Sequence, residues 1–182
     1  MALLMLDLFC GLQGASQAMR ERGWTVHAVD IQGHFDPRPD ELADLREWHW
    51  TGPRPDLVWA SPPCVEFSRE SMPWCRTGKV PSLDLVRAAV RIVEECKPRF
   101  WVLENVRGAT PYLGSPAMRH GPWHLWGRFP TFTCDVPFFK ERLSSKQREE
   151  RAKLPRALSL ALALAVECSL NGEAASPKAE CA

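Results

Sequence analysis

Two consecutive prolines, Pro62 and Pro63, follow the apolar run 57–60 after a single serine. Proline fixes its own φ angle and pushes the residue before it towards extended conformations, so the pattern predicts a short buried strand that ends in a rigid turn. The turn places Cys64 beyond the carboxyl end of the strand, where open α/β sheets bind ligands. On this pattern alone, a chemical role for Cys64 and a role as a small buried hydrophobic residue are equally supported.

A second segment near the start of the chain has a related form. Residues 3–9 are apolar except for Asp7, which predicts a central parallel strand buried on both faces. The strand leads into Gly11 and Gly14 and then into a predicted helix over 15–22. Glycines let the backbone approach a ligand closely, so this arrangement favours nucleotide binding, although the signal is weak when taken alone.

A third predicted strand, over 100–103, ends in Glu104 and Asn105. If the sheet is parallel, these residues lie at the same edge as Cys64. Taken alone, Glu104 is better explained as a strand-end acid paired with Arg107, and its significance depends on the other two segments.

Between the first two segments, a strand is predicted over 24–29, with Asp30 at its end. A carboxylate after the second strand of such a sheet is placed to accept both hydroxyl groups of a ribose, and a solvated turn residue is the alternative. Residues 33–55 contain four prolines and predict a loop around a short helix at 40–48.

The remaining predicted elements alternate between loops and helices. The first is a loop at 69–81, which either covers a substrate or is a plain surface loop, and the second is a helix capped by Ser82 that ends before Pro98 and has Leu83, Val86, Val90 and Val93 in the core. An irregular stretch follows at 107–143, and then a helix at 146–153. A last helix runs from Pro155 to about Cys168 with Leu158, Leu162 and Val166 on the sheet, and residues 169–182 are a disordered tail.

Length and charge set broad limits on the protein. A chain of 182 residues with 45% hydrophobic content suits one domain with a substantial core. The net charge of +1 does not by itself indicate a nucleic-acid partner. Residues 140–156 hold seven basic and three acidic residues, and a solvated helix face is favoured there over a binding surface.

The seven cysteines form no C-x-x-C motif and are odd in number. With no signal peptide in evidence, they predict reduced thiols and a cytoplasmic location. A zinc site from His120, His124 and Cys134 is only weakly indicated, so no metal is expected. The most apolar segment, 157–166, is about half the length of a membrane span, so no membrane association is predicted.

Taken together, the segments 6–14, 61–68 and 101–106 resemble the motifs of the cytosine-C5 DNA methyltransferases in residue type and order. The resemblance covers residues 3–108 and implies that the cell is a bacterium or is infected by a phage. It implies an α/β, Rossmann-like, S-adenosylmethionine-dependent methyltransferase fold, with a mostly parallel sheet flanked by helices. It further implies one methyltransferase-like domain over 1–168, in which 107–143 is a reduced recognition region.

The resemblance also implies roles for individual residues. Cys64 would be the nucleophile, Glu104 the general acid for cytosine N3, and Asn105 a brace for the site. S-adenosylmethionine, with S-adenosylhomocysteine as product, would be held by Asp7, Phe9, Gly11, Gly14, Asp30, Asp44, Leu45 and Pro62. DNA would be contacted by Ser68, Arg69, Arg107 and Arg128.

The chain departs from the family pattern in three places. Gln13 stands where a glycine is usual, Val65 stands where a glutamine is usual, and no Gln-x-Arg-x-Arg motif is present. A catalytically silent protein that binds DNA or a partner is therefore one alternative function, and methylation of RNA or of a free cytidine nucleotide is another. The short recognition region predicts low sequence specificity, a short target site or a protein partner that supplies recognition.

Overall fold

The computed structural model describes residues 2–134 and 153–172. Within these residues, seven strands form one sheet in the order β3-β2-β1-β4-β5-β7-β6. Strand β7 is antiparallel to both of its neighbours, and the other six strands run in one direction. The strands are β1 Leu4–Leu8, β2 Thr25–Asp30, β3 Glu41–Leu42, β4 Leu57–Ala60, β5 Phe100–Asn105, β6 Met118–His120 and β7 Trp123–Arg128.

Helices cover both faces of the sheet. Side chains alternate between the two faces along each strand, and apolar side chains on both faces are buried beneath the helices. Met5 and Trp59 pack with Leu158 on one face, where α1 and α5 lie together, whereas Leu6 and Ile92 belong to the core on the α3 side. The mostly parallel, Rossmann-like fold class predicted from the sequence is confirmed. The helices are α1 Gln17–Glu21, α2 Val65–Ser71, α3 Asp84–Cys96, α4 Thr110–Leu113 and α5 Arg156–Leu170, with a 3₁₀ turn at Arg107–Ala109 before α4.

The chain reverses its direction of winding between β1 and β4, which are neighbours in the sheet. From β1 it moves outward through β2 to β3, and from β4 it moves the other way to β5. In open α/β sheets, this reversal opens a crevice beyond the carboxyl ends of the two central strands. The glycine turn after β1 and the Pro-Pro-Cys turn after β4 both lie at that crevice.

Two of the predicted elements are wrong. The helix predicted at 40–48 is absent: Glu41 and Leu42 instead pair in parallel with the end of β2, and a turn follows. This pairing is held by Glu41, whose carboxylate is 2.8 Å from the His27 ring and accepts the indole N–H of Trp48 at 2.7 Å. The stretch 107–143 is not irregular throughout, because it contains β6 and β7. The centre of β7 is buried on both faces, so its sequence has no alternating pattern.

Smaller differences concern the ends and faces of helices. The predicted loop at 69–81 begins later, because α2 continues to Ser71. Ser82 accepts the N–H of Asp84 at 3.2 Å, but Val90, predicted for the core of α3, is 37% exposed. The predicted helix at 146–153 lies almost wholly outside the described residues, as does the tail beyond residue 172. None of the helices in the described residues has the length and apolarity needed to cross a bilayer.

Candidate active site

The glycine turn after β1 has an unusual backbone. Phe9, Gly11 and Gln13 all have positive φ angles, of 56°, 47° and 53°. Asp30 stabilises this turn, because its Oδ2 accepts the N–H of Gly11 at 3.0 Å while its Oδ1 accepts the N–H of Gln32 at 2.9 Å. The Asp30 side chain, predicted to hold a ribose, is thus buried behind the turn and binds backbone amides.

The last glycine of this turn is needed because another segment passes very close to it. A Cβ atom at Gly14 would lie 2.6 Å from the backbone oxygen of Leu154 and 2.8 Å from the Lys153 side chain. The chain just before α5 therefore packs directly on the glycine turn. This contact joins two parts of the chain that are about 140 residues apart in sequence.

The Pro-Pro-Cys turn is fixed between its two neighbouring strands. The N–H of Ser61 donates to the carbonyl of Leu8 at 3.1 Å, and the carbonyl of Pro62 accepts the side-chain amide of Asn105 at 3.0 Å. Asn105 is 1% exposed, and its Oδ1 accepts the N–H of Val106 at 2.9 Å. Cys64 then immediately precedes α2. The buried amide of Asn105 thus connects the end of β5 to the turn that carries the cysteine.

The turns meet around a cavity of about 620 Å³. This volume lies within the range of small-molecule sites in proteins. Nine of the residues predicted for the site line the cavity, and they come from segments far apart in the chain: Asp7, Phe9, Gly11, Gly14, Pro62, Cys64, Ser68, Arg69 and Glu104.

The other predicted site residues do not line the cavity. Asn105 and Asp30 lie behind its walls, and Arg107 is exposed at the start of the 3₁₀ turn. Asp44 pairs with Arg46, which lowers the pKa of the Asp44 carboxyl to about 2.

Leu45 and Arg128 are likewise away from the cavity. Leu45 is 2% exposed and is part of the core on the α3 side. Arg128 donates to the carbonyl of Pro98 at 2.8 Å, at the amino end of β5, because the antiparallel β7 carries its last residue away from the crevice. A contact between Arg128 and a substrate in the cavity is therefore not retained.

Glu104 lies at the wall of the cavity within a small hydrogen-bond network. Ser61 follows the β4 residue that pairs with Leu103, so it stands beside Glu104 and hydrogen-bonds its carboxyl group. The Ser61 hydroxyl in turn accepts the indole N–H of Trp59 at 2.6 Å. Burial is the larger effect on the carboxyl group and raises the pKa of Glu104 to about 7, although the Ser61 hydrogen bond opposes this change.

Burial also raises the pKa values of two other residues that line the cavity, Asp7 and Cys64. Desolvation raises the pKa of Asp7 to about 7, and its Oδ2 has no hydrogen-bond partner although the residue is only 1% exposed. Burial and then the charge of Glu104 raise the pKa of the Cys64 thiol, and a hydrogen bond with Ser68 partly offsets them. The thiol is therefore protonated near neutral pH in this state of the protein.

Both histidines that the sequence suggested as zinc ligands lie beside tryptophan rings. The ring of His120 stacks on Trp123, with centroids 6.2 Å apart, and the ring of His124 lies 6.1 Å from that of Trp126. Across residues 2–134 and 153–172, no three histidine, cysteine or acidic side chains come together in a way that could hold a metal ion.

Several cavity residues were not predicted from the sequence. Trp59 and Ser61 lie beside the Pro-Pro-Cys motif, and their position at the end of a strand was an available signal. Phe35, Trp123 and Leu154 also line the cavity, but they come from a loop, from the undetected strand β7 and from the chain before α5. No local pattern marks these last three.

Comparison with known proteins gives a consistent result. Residues 39–111 match the family model described as C-5 cytosine-specific DNA methylase. A protein of Frog virus 3 (isolate Goorha) named "Probable DNA (cytosine-5)-methyltransferase" is 32% identical in an alignment 117 residues long that covers 56% of this chain and 52% of that protein. The type II methyltransferase M.SacI of Streptomyces achromogenes is 41% identical over 59 residues, which are 31% of this chain and 15% of that protein.

Among solved structures, the Entamoeba histolytica methyltransferase EhMeth aligns with 79% of this chain and 58% of its own, at 14% identity and a TM-score of 0.47. The chain spans about half the length of the first of the curated relatives and less of the second. The family model and the curated relatives confirm the predicted resemblance to the cytosine-C5 DNA methyltransferases, and residues 39–111 are the part of the chain that matches the family model.

Proposed function

We propose that this protein methylates C5 of cytosine in DNA, with S-adenosylmethionine as the methyl donor and Cys64 as a covalent nucleophile. The observation that carries the proposal is that Cys64 and Glu104 line one cavity together with the glycine turn after β1. A thiol, a carboxyl group and a nucleotide-type turn are the three parts that this reaction needs in one place.

The thiol is needed because C5 of cytosine is a weak nucleophile. When the sulfur of Cys64 forms a bond to C6, the ring becomes an enamine whose C5 is electron-rich and can accept a methyl group. The thiolate is the reactive form, and burial raises the pKa of Cys64. The thiol must therefore lose its proton to solvent when the base is bound, and the neighbouring Ser68 hydrogen bond favours the anion.

Glu104 neutralises the negative charge that this addition creates on the cytosine ring. As the S–C6 bond forms, negative charge develops at N3, and a protonated Glu104 donates its proton there. A pKa near 7 keeps a large part of Glu104 protonated at neutral pH. After methylation, solvent takes up the C5 proton, the electrons of the C5–H bond form the C5–C6 double bond, and the S–C6 bond breaks. N3 returns its proton to Glu104, so the thiolate and the acid are both regenerated.

The groups around the glycine turn fit S-adenosylmethionine, which supplies the methyl group when bound. Asp7 offers a buried carboxyl oxygen without a partner, suited to an ammonium group. Gly11 and Gly14 leave the backbone accessible, and Phe9 and Phe35 add apolar walls. The residues present thus meet the polar and apolar ends of such a cofactor.

DNA is the proposed substrate because the matching family model and the Frog virus 3 relative are both named for methylation of DNA. A target base inside a duplex must be rotated out of the helix, which costs a few kcal/mol of unstacking. Arg69 lines the cavity, and the following loop carries Trp74, which is 81% exposed. A cation and an exposed aromatic ring at this position suit contact with phosphates and bases.

The test uses S-adenosylmethionine with a tritiated methyl group, incubated in parallel with duplex DNA, tRNA and dCMP. Label at C5 of cytosine in DNA alone supports the proposal, whereas label in tRNA or dCMP alone assigns the activity to RNA or to the free nucleotide. Cys64→Ser should abolish transfer while cofactor binding persists. Cys75→Ser, which removes another free cysteine just beyond α2, is the matched control and should retain activity.

Trapping the covalent step makes the test specific to the mechanism. Duplex DNA with 5-fluorocytosine should form a stable adduct with the wild-type protein, because fluorine replaces the proton that must leave C5. Mass spectrometry should find the adduct on the peptide that contains Cys64. Cofactor binding without label in any substrate and without an adduct would favour the catalytically silent alternative.

A further inference from the structure

Gln13 occupies a position in the glycine turn whose backbone favours glycine. Its φ angle is 53°, and left-handed conformations are costly for residues with a Cβ atom. The side chain is also 4% exposed, so a polar amide is buried there. Both features cost free energy, and they persist only where other contacts compensate for them.

The compensating contacts all come from the Gln13 side-chain amide. Its Nε2 donates to the carbonyls of Pro37 and Arg38, at 3.2 and 3.0 Å. Its Oε1 accepts from Nη2 of Arg20 at 3.1 Å, and the same guanidinium group pairs with Asp40 at 2.8 Å. Gln13 therefore ties the glycine turn to the loop that joins β2 to β3.

This loop contributes to the cavity through Phe35. The ring of Phe35 lines the same cavity as Gly11 and Gly14, although it lies on a different segment of the chain. The far end of the loop is also anchored, because Oδ2 of Asp40 accepts the N–H of Ala28 at 2.8 Å. The two contacts of Gln13 are thus placed between Phe35 and the anchored end of the loop.

We propose that Gln13 is a positioning residue that holds the 35–38 loop against the glycine turn, so that Phe35 packs on the nucleoside part of the cofactor. The inference rests on the proposed use of S-adenosylmethionine and adds the reason why this chain has a glutamine where a glycine is usual. A glycine there would relieve the backbone but would leave the loop unattached.

The experiment measures S-adenosylhomocysteine affinity by calorimetry for wild type, Gln13→Gly, Phe35→Ala and the double variant. Gln13→Gly removes both hydrogen bonds to the loop without backbone strain, and we expect affinity to fall about 10-fold. Because Gln13 acts through Phe35, the double variant should bind no more weakly than Phe35→Ala alone. In enzyme assays, KM for the cofactor should rise in Gln13→Gly while kcat changes by less than about 2-fold.

Two further variants separate positioning from a general loss of structure. Gln13→Glu keeps an acceptor for Arg20 but faces the two loop carbonyls with an oxygen, so it should weaken binding as Gln13→Gly does. Gln17→Ala removes a half-buried glutamine at the start of α1, whose side-chain amide contacts Glu21, and should leave affinity unchanged.

Hydrogen exchange without ligand gives an independent measurement. Amides of residues 33–40 should exchange faster in Gln13→Gly than in wild type, and those of α3 should not. Wild-type affinity and exchange in both Gln13 variants would overturn the inference, as would full additivity of Gln13→Gly with Phe35→Ala. A wild-type protein that binds no S-adenosylhomocysteine would instead overturn the proposed cofactor, whatever the exchange of the loop.

Discussion

The side-chain amide of Asn105 donates a hydrogen bond to the carbonyl of Pro62 across 3.0 Å. The two residues are 43 positions apart and stand at the ends of the neighbouring strands β5 and β4. Because Glu104 precedes one and Cys64 follows the other by two residues, this single contact relates the proposed acid to the proposed nucleophile.

Replacing Asn105 should therefore damage the site more than the fold. Asn105→Ala leaves the carbonyl of Pro62 and the N–H of Val106 without partners, which costs about 1–3 kcal/mol of unfolding free energy. We expect kcat to fall about 10- to 100-fold, because small displacements of reacting groups are costly. Urea unfolding and steady-state kinetics measure both effects. Asn171→Ala, at the exposed end of α5, is the control. A kcat equal to that of wild type in Asn105→Ala would contradict the assigned role.

Ser61 should set the pH range of the reaction through Glu104. In the proposed mechanism Glu104 acts in its protonated form, so kcat/KM should fall as pH rises through the pKa of this group in the free protein, near 7. The Ser61 hydroxyl favours the ionised carboxylate, and Ser61→Ala should raise the pKa of Glu104 and move this limb of the pH profile to higher pH. The profile of Ser71→Ala, which alters an exposed hydroxyl, should match wild type. An unmoved limb in Ser61→Ala would refute the coupling.

Asp7 should make the free protein less stable as pH rises. Its pKa is about 7 in the folded state and 3.8 in the reference state, so the folded protein binds the proton more tightly. The contribution of Asp7 to stability is then most favourable below about pH 4 and falls by up to roughly 4 kcal/mol as pH approaches 8. Asp7→Asn should remove this part of the pH dependence in urea unfolding, while Glu104 contributes a change of the same sign that remains.

Exposed acids provide the comparison for Asp7. Asp84 is 67% exposed at the start of α3, and Asp84→Asn should leave the slope of stability against pH as in wild type. Equal slopes for wild type and Asp7→Asn would show that the folded state does not hold Asp7 protonated.

Gly14 should be intolerant of any side chain. A Cβ atom there would meet the backbone of Leu154 at 2.6 Å, so the glycine turn or the chain before α5 must shift in Gly14→Ala. We expect a loss of about 1–3 kcal/mol in unfolding free energy, together with weaker cofactor binding. Gly33→Ala is the matched control, since its Cβ would meet only the flexible end of Leu42 at 3.0 Å. Similar losses in the two variants would argue against close packing at Gly14.

The sequence by itself was sufficient for the elements whose signals are local. The apolar run before Pro62 predicted β4 at the residues where it occurs, and the residues at the carboxyl ends of β1, β4 and β5 indicated that the candidate site lies at one edge of the sheet. Their order along the chain supported the family resemblance. Strand ends and turns of this kind depend on neighbouring residues, because proline and glycine act on the backbone locally.

Only the tertiary structure decided the features that depend on distant partners. The arrangement of the strands and of the chain around them buries Glu104 and Asp7, which raises their pKa values, and packs Leu154 on Gly14. The antiparallel direction of β7 places Arg128 away from the cavity. In the sequence, Gln13 is only a departure from the usual glycine. In the folded protein its side-chain amide contacts the loop after β2, which lies against the glycine turn. Desolvation and close packing arise between segments remote in sequence, so no local pattern contains them.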